Sequence, residues 1–282
     1  MKTTIANDFL TASILHKGAE LCSLKTSDIE YIWEGNPTFW GKHSPVLFPI
    51  VGALKNNSYV FENKQYQMYR HGFARDLNFD LVAKSNTEAS FSLKNSESSF
   101  LIYPFEFELI VTYILDHKKL IIQYDVRNFS NKTMPFSIGA HPAFSLKNDF
   151  NSYTLDFEHD QLLEYHLLEG DLLSDKTEKI ELVNNKMHLN YDLFKNDALV
   201  FKQLKSKTIA IAEHGNPFLR INFSQFPNLG IWTKKDAPFI CLEPWFGFAD
   251  ETTSSGKIIE KNGIILLNKK SEWQAEFDIE IV

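Results

Sequence analysis

A chain of 282 residues that is 44% hydrophobic and 23% charged has enough apolar material for a sizeable core, which excludes a disordered, collagenous or coiled-coil protein. Thirty-six acidic against 29 basic side chains leave a formal charge of -7, which repels a phosphate backbone and argues against nucleic acid or an anionic membrane as partner. Aromatic residues reach 14%, with 24 Phe, a surplus that suits strands, buried sheet faces and sugar-stacking surfaces better than helices.

The opening MKTTIANDFL lacks the apolar stretch of a signal peptide, and no run approaches the roughly 20 apolar residues of a membrane span. Cys22 and Cys241 are the only cysteines, too few for a disulfide framework, so a cytoplasmic chain is expected. Val111, Tyr113 and Leu115 alternate before Asp116-His117-Lys118-Lys119, and Leu120, Ile122, Tyr124 and Val126 alternate after it, which predicts a long hairpin with a polar loop. Short turns are expected around Gln161 to Leu168 and Tyr191 to Lys195. Strands are expected at Leu199 to Phe201, Thr208 to Ala212, Phe218 to Phe223, Leu229 to Thr233 and Phe239 to Leu242. The C-terminus alternates Trp273, Ala275, Phe277, Ile279 and Ile281 against Gln274, Glu276, Asp278 and Glu280, a strand with one wet face. Many short strands punctuated by Asn, Asp, Gly and Pro, with no linker and no repeat, predict an all-β fold: one large antiparallel sandwich spanning 1–282. Such a sandwich presents a broad concave sheet face on which residues from distant strands can form a site.

No nucleotide, zinc or nucleophile-elbow motif is present. Three titratable residues instead sit inside apolar or aromatic strings: His71 in Tyr69-Arg70-His71-Gly72-Phe73-Ala74-Arg75-Asp76, His141 in Ile138-Gly139-Ala140-His141-Pro142-Ala143-Phe144, and Glu243 in Phe239-Ile240-Cys241-Leu242-Glu243-Pro244-Trp245-Phe246-Gly247. Poor solvation at Glu243 raises a carboxyl pKa and tunes a general base, unless Arg or backbone N–H groups neutralise the charge there. His71 and His141 read either as ligand-directed side chains or as satisfied turn residues. Gly139 and Pro142 suggest a backbone held in one shape around His141. Arg70 and Arg75 flank His71 and are two of only four arginines. The Arg fork suits bidentate contact with hydroxyls or anions, whereas a surface pair with an acid such as Asp76 is the competing assignment, favoured for Arg70. Asp197 begins a strand, where most Asp residues form turns.

These strings, together with Phe48-Pro49-Ile50-Val51-Gly52 and Leu229-Gly230-Ile231-Trp232-Thr233-Lys234, resemble the aldose 1-epimerase (galactose mutarotase-like) family along nearly the whole chain, in its LacX-like branch. The resemblance implies a β-supersandwich and a small-molecule sugar on the concave face. It also implies interconversion of α and β anomers with no cofactor or metal. By position, His141 matches the family's general acid, Glu243 its general base, and His71 a second histidine at the ring-oxygen region. Asp197 falls where the family has an acid that bonds sugar hydroxyls. The implied mechanism has Glu243 as carboxylate and His141 as imidazolium. Arg75, Asp197 and Trp245 are the expected substrate contacts, and Trp245, Phe246 and Trp232 are either sugar-stacking or core residues. One departure is Ala53, where this branch is expected to carry Arg; a sugar hydroxyl contact would be lost or would pass to Arg75 or Lys55. A hexose-6-phosphate epimerase, a sugar-binding protein without turnover, and a glycoside hydrolase or lyase pairing Glu243 with Asp197 are the competing functions. A monomer or homodimer is expected.

Overall fold

The computed structural model describes residues 1–282, and strands and the turns between them make up nearly all of it. The only α-helix is Glu97–Ile102, and no helix is long and apolar enough to cross a membrane. The expected hairpin pairs Phe107–Asp116 with Lys119–Asn128. Leu120 lies opposite Leu115, Ile122 opposite Tyr113 and Tyr124 opposite Val111, so the alternating apolar residues share one buried face. Its turn is shorter than the polar tetrapeptide: Asp116 and Lys119 already pair, and only His117 and Lys118 cross over, with His117 at φ 50°.

That hairpin belongs to a nine-stranded antiparallel sheet whose middle strand is Glu272–Ile281. The spatial order is Lys186–His188, Tyr153–Phe157, Thr208–Glu213, Asn216–Asn222, Glu272–Ile281, Lys119–Asn128, Phe107–Asp116, Glu88–Lys94 and Asp80–Lys84. A second, eight-stranded sheet runs Leu172–Glu181, Leu162–Glu169, Leu199–Lys202, Asn228–Trp232, Phe239–Phe246, Ile138–Ala140 and Val46–Leu47, with Ala143–Ser145 also pairing to Phe239–Phe246. The main core lies between the two sheets. Phe226 bridges it, with its ring 6.4 Å from Tyr124, 5.8 Å from Phe277 and 4.9 Å from Phe246.

Two sequence expectations change. The segment expected as a turn at Gln161 to Leu168 is the strand Leu162–Glu169, half of an edge hairpin with Leu172–Glu181. A bulge between His166 and Leu168 shifts the register and interrupts the period of two, which hides the strand from the pattern. The strand expected to stop at Leu242 continues to Phe246. Tyr191–Phe194 is a short 3₁₀ turn as expected, capped by the Asn190 side chain accepting from Leu193 N–H.

The strand Phe239–Phe246 is buried on both faces, which is why it reads as one apolar run. Ile240 and Leu242 enter the main core and Phe246 packs against it, while Phe239, Cys241, Glu243 and Trp245 alternate onto the opposite face of the sheet. That outer face is where the site forms.

Candidate functional site

A cavity of about 290 Å³ opens on the outer face of the eight-stranded sheet. Glu243 and Trp245 come from the strand Phe239–Phe246, Trp232 from its neighbour Asn228–Trp232, Val200 from the next strand, and Leu168, Asp171 and Leu173 from the bulged edge hairpin. His71, His141, Arg70, Arg75, Asp197 and Trp40 complete the polar and aromatic wall.

A gap in the sheet delivers His141. Ile138 and Gly139 pair with Phe246 and Trp245, and Ala143 to Ser145 resume the same ladder against Cys241 to Phe239. Pro142, which has no N–H to give, sits in the interruption between the two stretches, and the imidazole beside it reaches Glu243. His141 Nε2 lies 3.3 Å from Glu243 Oε2. Both side chains are buried, and Glu243 Oε2 and His141 Nδ1 have no hydrogen-bond partner within the protein.

Burial pushes the Glu243 carboxyl well above the usual carboxylate range; the nearby Asp197 charge adds to this, and Arg70 opposes it. Burial likewise lowers His141 to about 3, with Arg70 and Arg75 acting in the same direction. Burial thus favours the uncharged form of each group, a carboxylic acid beside a neutral imidazole, over the carboxylate and imidazolium that the resemblance implies for catalysis. The proton count is the same in both descriptions. The two forms differ only by moving one proton across the 3.3 Å contact.

His71 is fixed by its backbone. At φ 69° it donates its own N–H to Gly52 O at 2.8 Å, and Gly52 N–H donates back to His71 Nδ1 at 3.1 Å. Accepting at Nδ1 leaves the neutral ring with its proton on Nε2, and burial, followed by the field of His141, holds the ring neutral. His71 thus serves as an N–H donor, with its ring centroid 5.8 Å from that of His141.

Trp245 lies along the sheet because its neighbours lack side chains. A Cβ on Gly230 would come within 2.4 Å of the six-membered ring, and one on Gly139 within 2.5 Å of Cδ1. Trp245 and Trp232 line the cavity, whereas Phe246 packs 4.8 Å from Trp273 on the core side and is not a stacking candidate. Trp40, which the sequence pattern did not single out, stacks on His141 at 4.7 Å and 25°. It lies in an irregular segment, so the only signal was an aromatic pair, Phe39-Trp40, outside any strand.

At the rim, Arg70 pairs with Asp171 at 3.0 Å and Asp197 at 3.8 Å. The surface-pair assignment for Arg70 holds in its partners but misses that all three residues line the cavity. Asp197 combines both of its readings: at φ 78° its carboxylate accepts from Ala198 N–H, and it faces the site. Arg75 lines the cavity while bonding Arg70 O at 2.8 Å and lying 3.7 Å from Asp76. Ala53 is 2% exposed and absent from the cavity wall, and Lys55 turns away to donate to Thr252 O. The basic side chains on the cavity wall are Arg70 and Arg75, and Lys55 is not among them. Asp171 was missed because it sits in the turn of the hairpin whose bulge hid it.

The family model for aldose 1-epimerase matches residues 1–280. The chain belongs to the aldose 1-epimerase family. Among curated members it is 34% identical over 281 residues to the plasmid-encoded protein LacX of Lactococcus lactis subsp. lactis, covering 92% of each chain. A galactose mutarotase related enzyme from Lactobacillus acidophilus superposes with a TM-score of 0.95 at 33% identity, over 100% of this chain and 97% of that one. A galactose mutarotase-like protein from Lactobacillus casei gives 0.94 at 32% identity, over 100% of both chains. The aldose 1-epimerase fold and the LacX-like branch expected from the motifs are thus both found, and membership makes the chain a sugar epimerase by class.

Proposed function

We propose that this epimerase interconverts the α and β anomers of a neutral hexose by acid–base ring opening, with His141 and Glu243 moving the protons. The 3.3 Å approach of His141 Nε2 to Glu243 Oε2, a buried oxygen with no hydrogen-bond partner in the protein, is the observation that supports this function. From the ring-closed sugar, Glu243 as carboxylate takes the proton of the anomeric hydroxyl and His141 as imidazolium gives one to the ring oxygen. The bond from C1 to the ring oxygen breaks, and rotation about C1–C2 presents the other face. Closure reverses both transfers: Glu243 returns a proton to the carbonyl oxygen while His141 removes one from the attacking hydroxyl. The ring-opened stage leaves a carboxylic acid and a neutral imidazole, the state that burial favours in the free protein.

His71 Nε2–H is the donor that positions the ring, and Trp40, Trp232 and Trp245 supply apolar faces. Because that donor acts on bound sugar and on the transition state alike, His71→Ala is expected to raise KM and lower kcat together. A His71→Ala enzyme with unchanged KM would remove it from the binding role. Asp197 pairs with Arg70 at 3.8 Å and the neighbour of Glu243 at 3.3 Å is a histidine, an arrangement that favours acid–base ring opening over a paired-carboxylate hydrolase.

Substrate charge follows from the rim. Two carboxylates balance Arg70, and the chain carries -7 overall, so a 6-phosphate meets little free positive charge. NMR exchange between anomers, run in EDTA, is expected to show turnover of free glucose or galactose, with kcat/KM for glucose 6-phosphate about tenfold or more lower. Sugar binding without exchange would favour the non-catalytic alternative. A phosphate preference that weakens with salt and disappears in Arg75→Ala would favour the hexose-phosphate one. Loss of all exchange in EDTA would overturn the cofactor-free mechanism.

A further inference from the structure

Cys241 has no part in the sugar chemistry, yet it lies two residues before Glu243 on the same outward face of the same strand. It is fully buried beneath the cavity floor, packed with Trp33, Ala143, Ala237 and Phe239. One ligand atom from each of His141, Cys241 and Glu243 falls within 4.8 Å of the others. In a tetrahedral zinc site, bonds of about 2.0–2.3 Å place neighbouring ligand atoms roughly 3.3–3.8 Å apart. The His141 to Glu243 separation of 3.3 Å already meets that spacing, and Glu243 Oε2 is buried without any hydrogen-bond partner. The sulfur needs to approach by only about 1 Å to complete a three-ligand set of imidazole, carboxylate and thiolate. His141 and Glu243 line the cavity, which gives a cation its approach from that side.

We infer that the cavity floor is also a binding site for a thiophilic divalent cation such as Zn²⁺, held by His141, Glu243 and Cys241, and that the bound cation blocks the sugar reaction. Binding displaces the proton shared by His141 and Glu243 and the Cys241 thiol proton to solvent, and no electrons are transferred. An occupied site ties up the two groups that move protons, so the cation acts as an inhibitor. The inhibition rests on the proposed anomer exchange, but the binding does not.

The test is titration of the purified protein with Co²⁺, followed by absorption, and then competition with Zn²⁺. One Co²⁺ per chain with an intense near-ultraviolet thiolate band is expected. The band should survive Cys22→Ser and vanish in Cys241→Ser and Cys241→Ala, with Zn²⁺ affinity falling at least the 10- to 100-fold or so that removing an outer-shell partner costs. No saturable binding, or a band that survives loss of Cys241, overturns the site. If the Cys241 variants misfold, Glu243→Gln decides: weakened Co²⁺ binding supports the site and unchanged affinity overturns it. Anomer exchange measured in the same samples separates the two conclusions. Exchange is read on the metal-free protein first: no exchange there with a Cys241 band on later Co²⁺ addition refutes the reaction alone, an active protein without the band refutes the cation site, and undiminished exchange in the Co²⁺-loaded protein refutes the inhibition.

Discussion

Glu243→Gln is expected to lower kcat for anomer exchange by about 10³-fold or more while leaving KM within a few-fold of wild type. The amide keeps the shape of the side chain on the buried strand and cannot accept a proton, so it removes a step and not a contact. A loss of that size corresponds to about 4 kcal/mol of transition-state stabilisation. The fold should survive, because Glu243 already favours its neutral form where it sits and Gln adds no unpaired charge. Stability should respond to pH in a defined direction. A carboxyl whose folded pKa is raised above 4.5 stabilises the fold below that value and loses the contribution as pH rises through the folded pKa. His141, lowered from 6.5 to about 3, acts oppositely and only below 6.5. Cys22 and Cys241, also raised by burial, titrate alike in both proteins, so wild type should lose melting temperature faster than Glu243→Gln as pH rises through the range where Glu243 ionises. Near wild-type turnover in Glu243→Gln would remove Glu243 from the base role.

His141→Ala is expected to cost about 10²- to 10⁴-fold in kcat, the range for one positioned acid or base. Truncation leaves a slot against the face of Trp40, which stacks on the native ring at 4.7 Å, and added imidazole should restore part of the rate there. The double variant carries more information than either single one. Groups that exchange one proton across 3.3 Å act as a unit, so His141→Ala with Glu243→Gln should lose little more than the worse single change. Losses that multiply would mean that the two side chains act independently, contrary to a shared proton.

Legibility of the fold tracked the number of wet faces. The long hairpin and the C-terminal strand each bury one face and leave the other at least partly open, so the period of two named them outright. The strand Phe239–Phe246 is buried on both sides and gives no alternation, and its polar member Glu243 looked like an end when it is a middle. The hairpin from Leu162 to Glu181 disappeared behind one bulge, and Asp171 in its turn disappeared with it. In the site, His71, His141 and Glu243 stood out as polar residues in apolar strings. The missing contributions came from segments with no periodicity, as with Trp40, or from pairings made only in three dimensions, as with Arg70 and its two carboxylates. The charge state of His141 was beyond sequence reasoning because it depends on how completely the folded chain excludes water from the ring.

The cavity is assembled from parts of unequal rigidity. Its floor is carried by the strand whose alternate residues build the main core, so a backbone shift that moved Glu243 would also disturb Leu242 and Ile240. Its rim is an edge hairpin turn and a pair of half-exposed ion contacts, where Gly170 has open space around it and substitutions meet little resistance. Under the proposed reaction, chemistry and choice of substrate are therefore separately mutable. Sequence drift at Arg70, Asp171 and Asp197 can retune which sugar enters, while the proton-moving pair stays locked to the architecture that keeps the molecule folded.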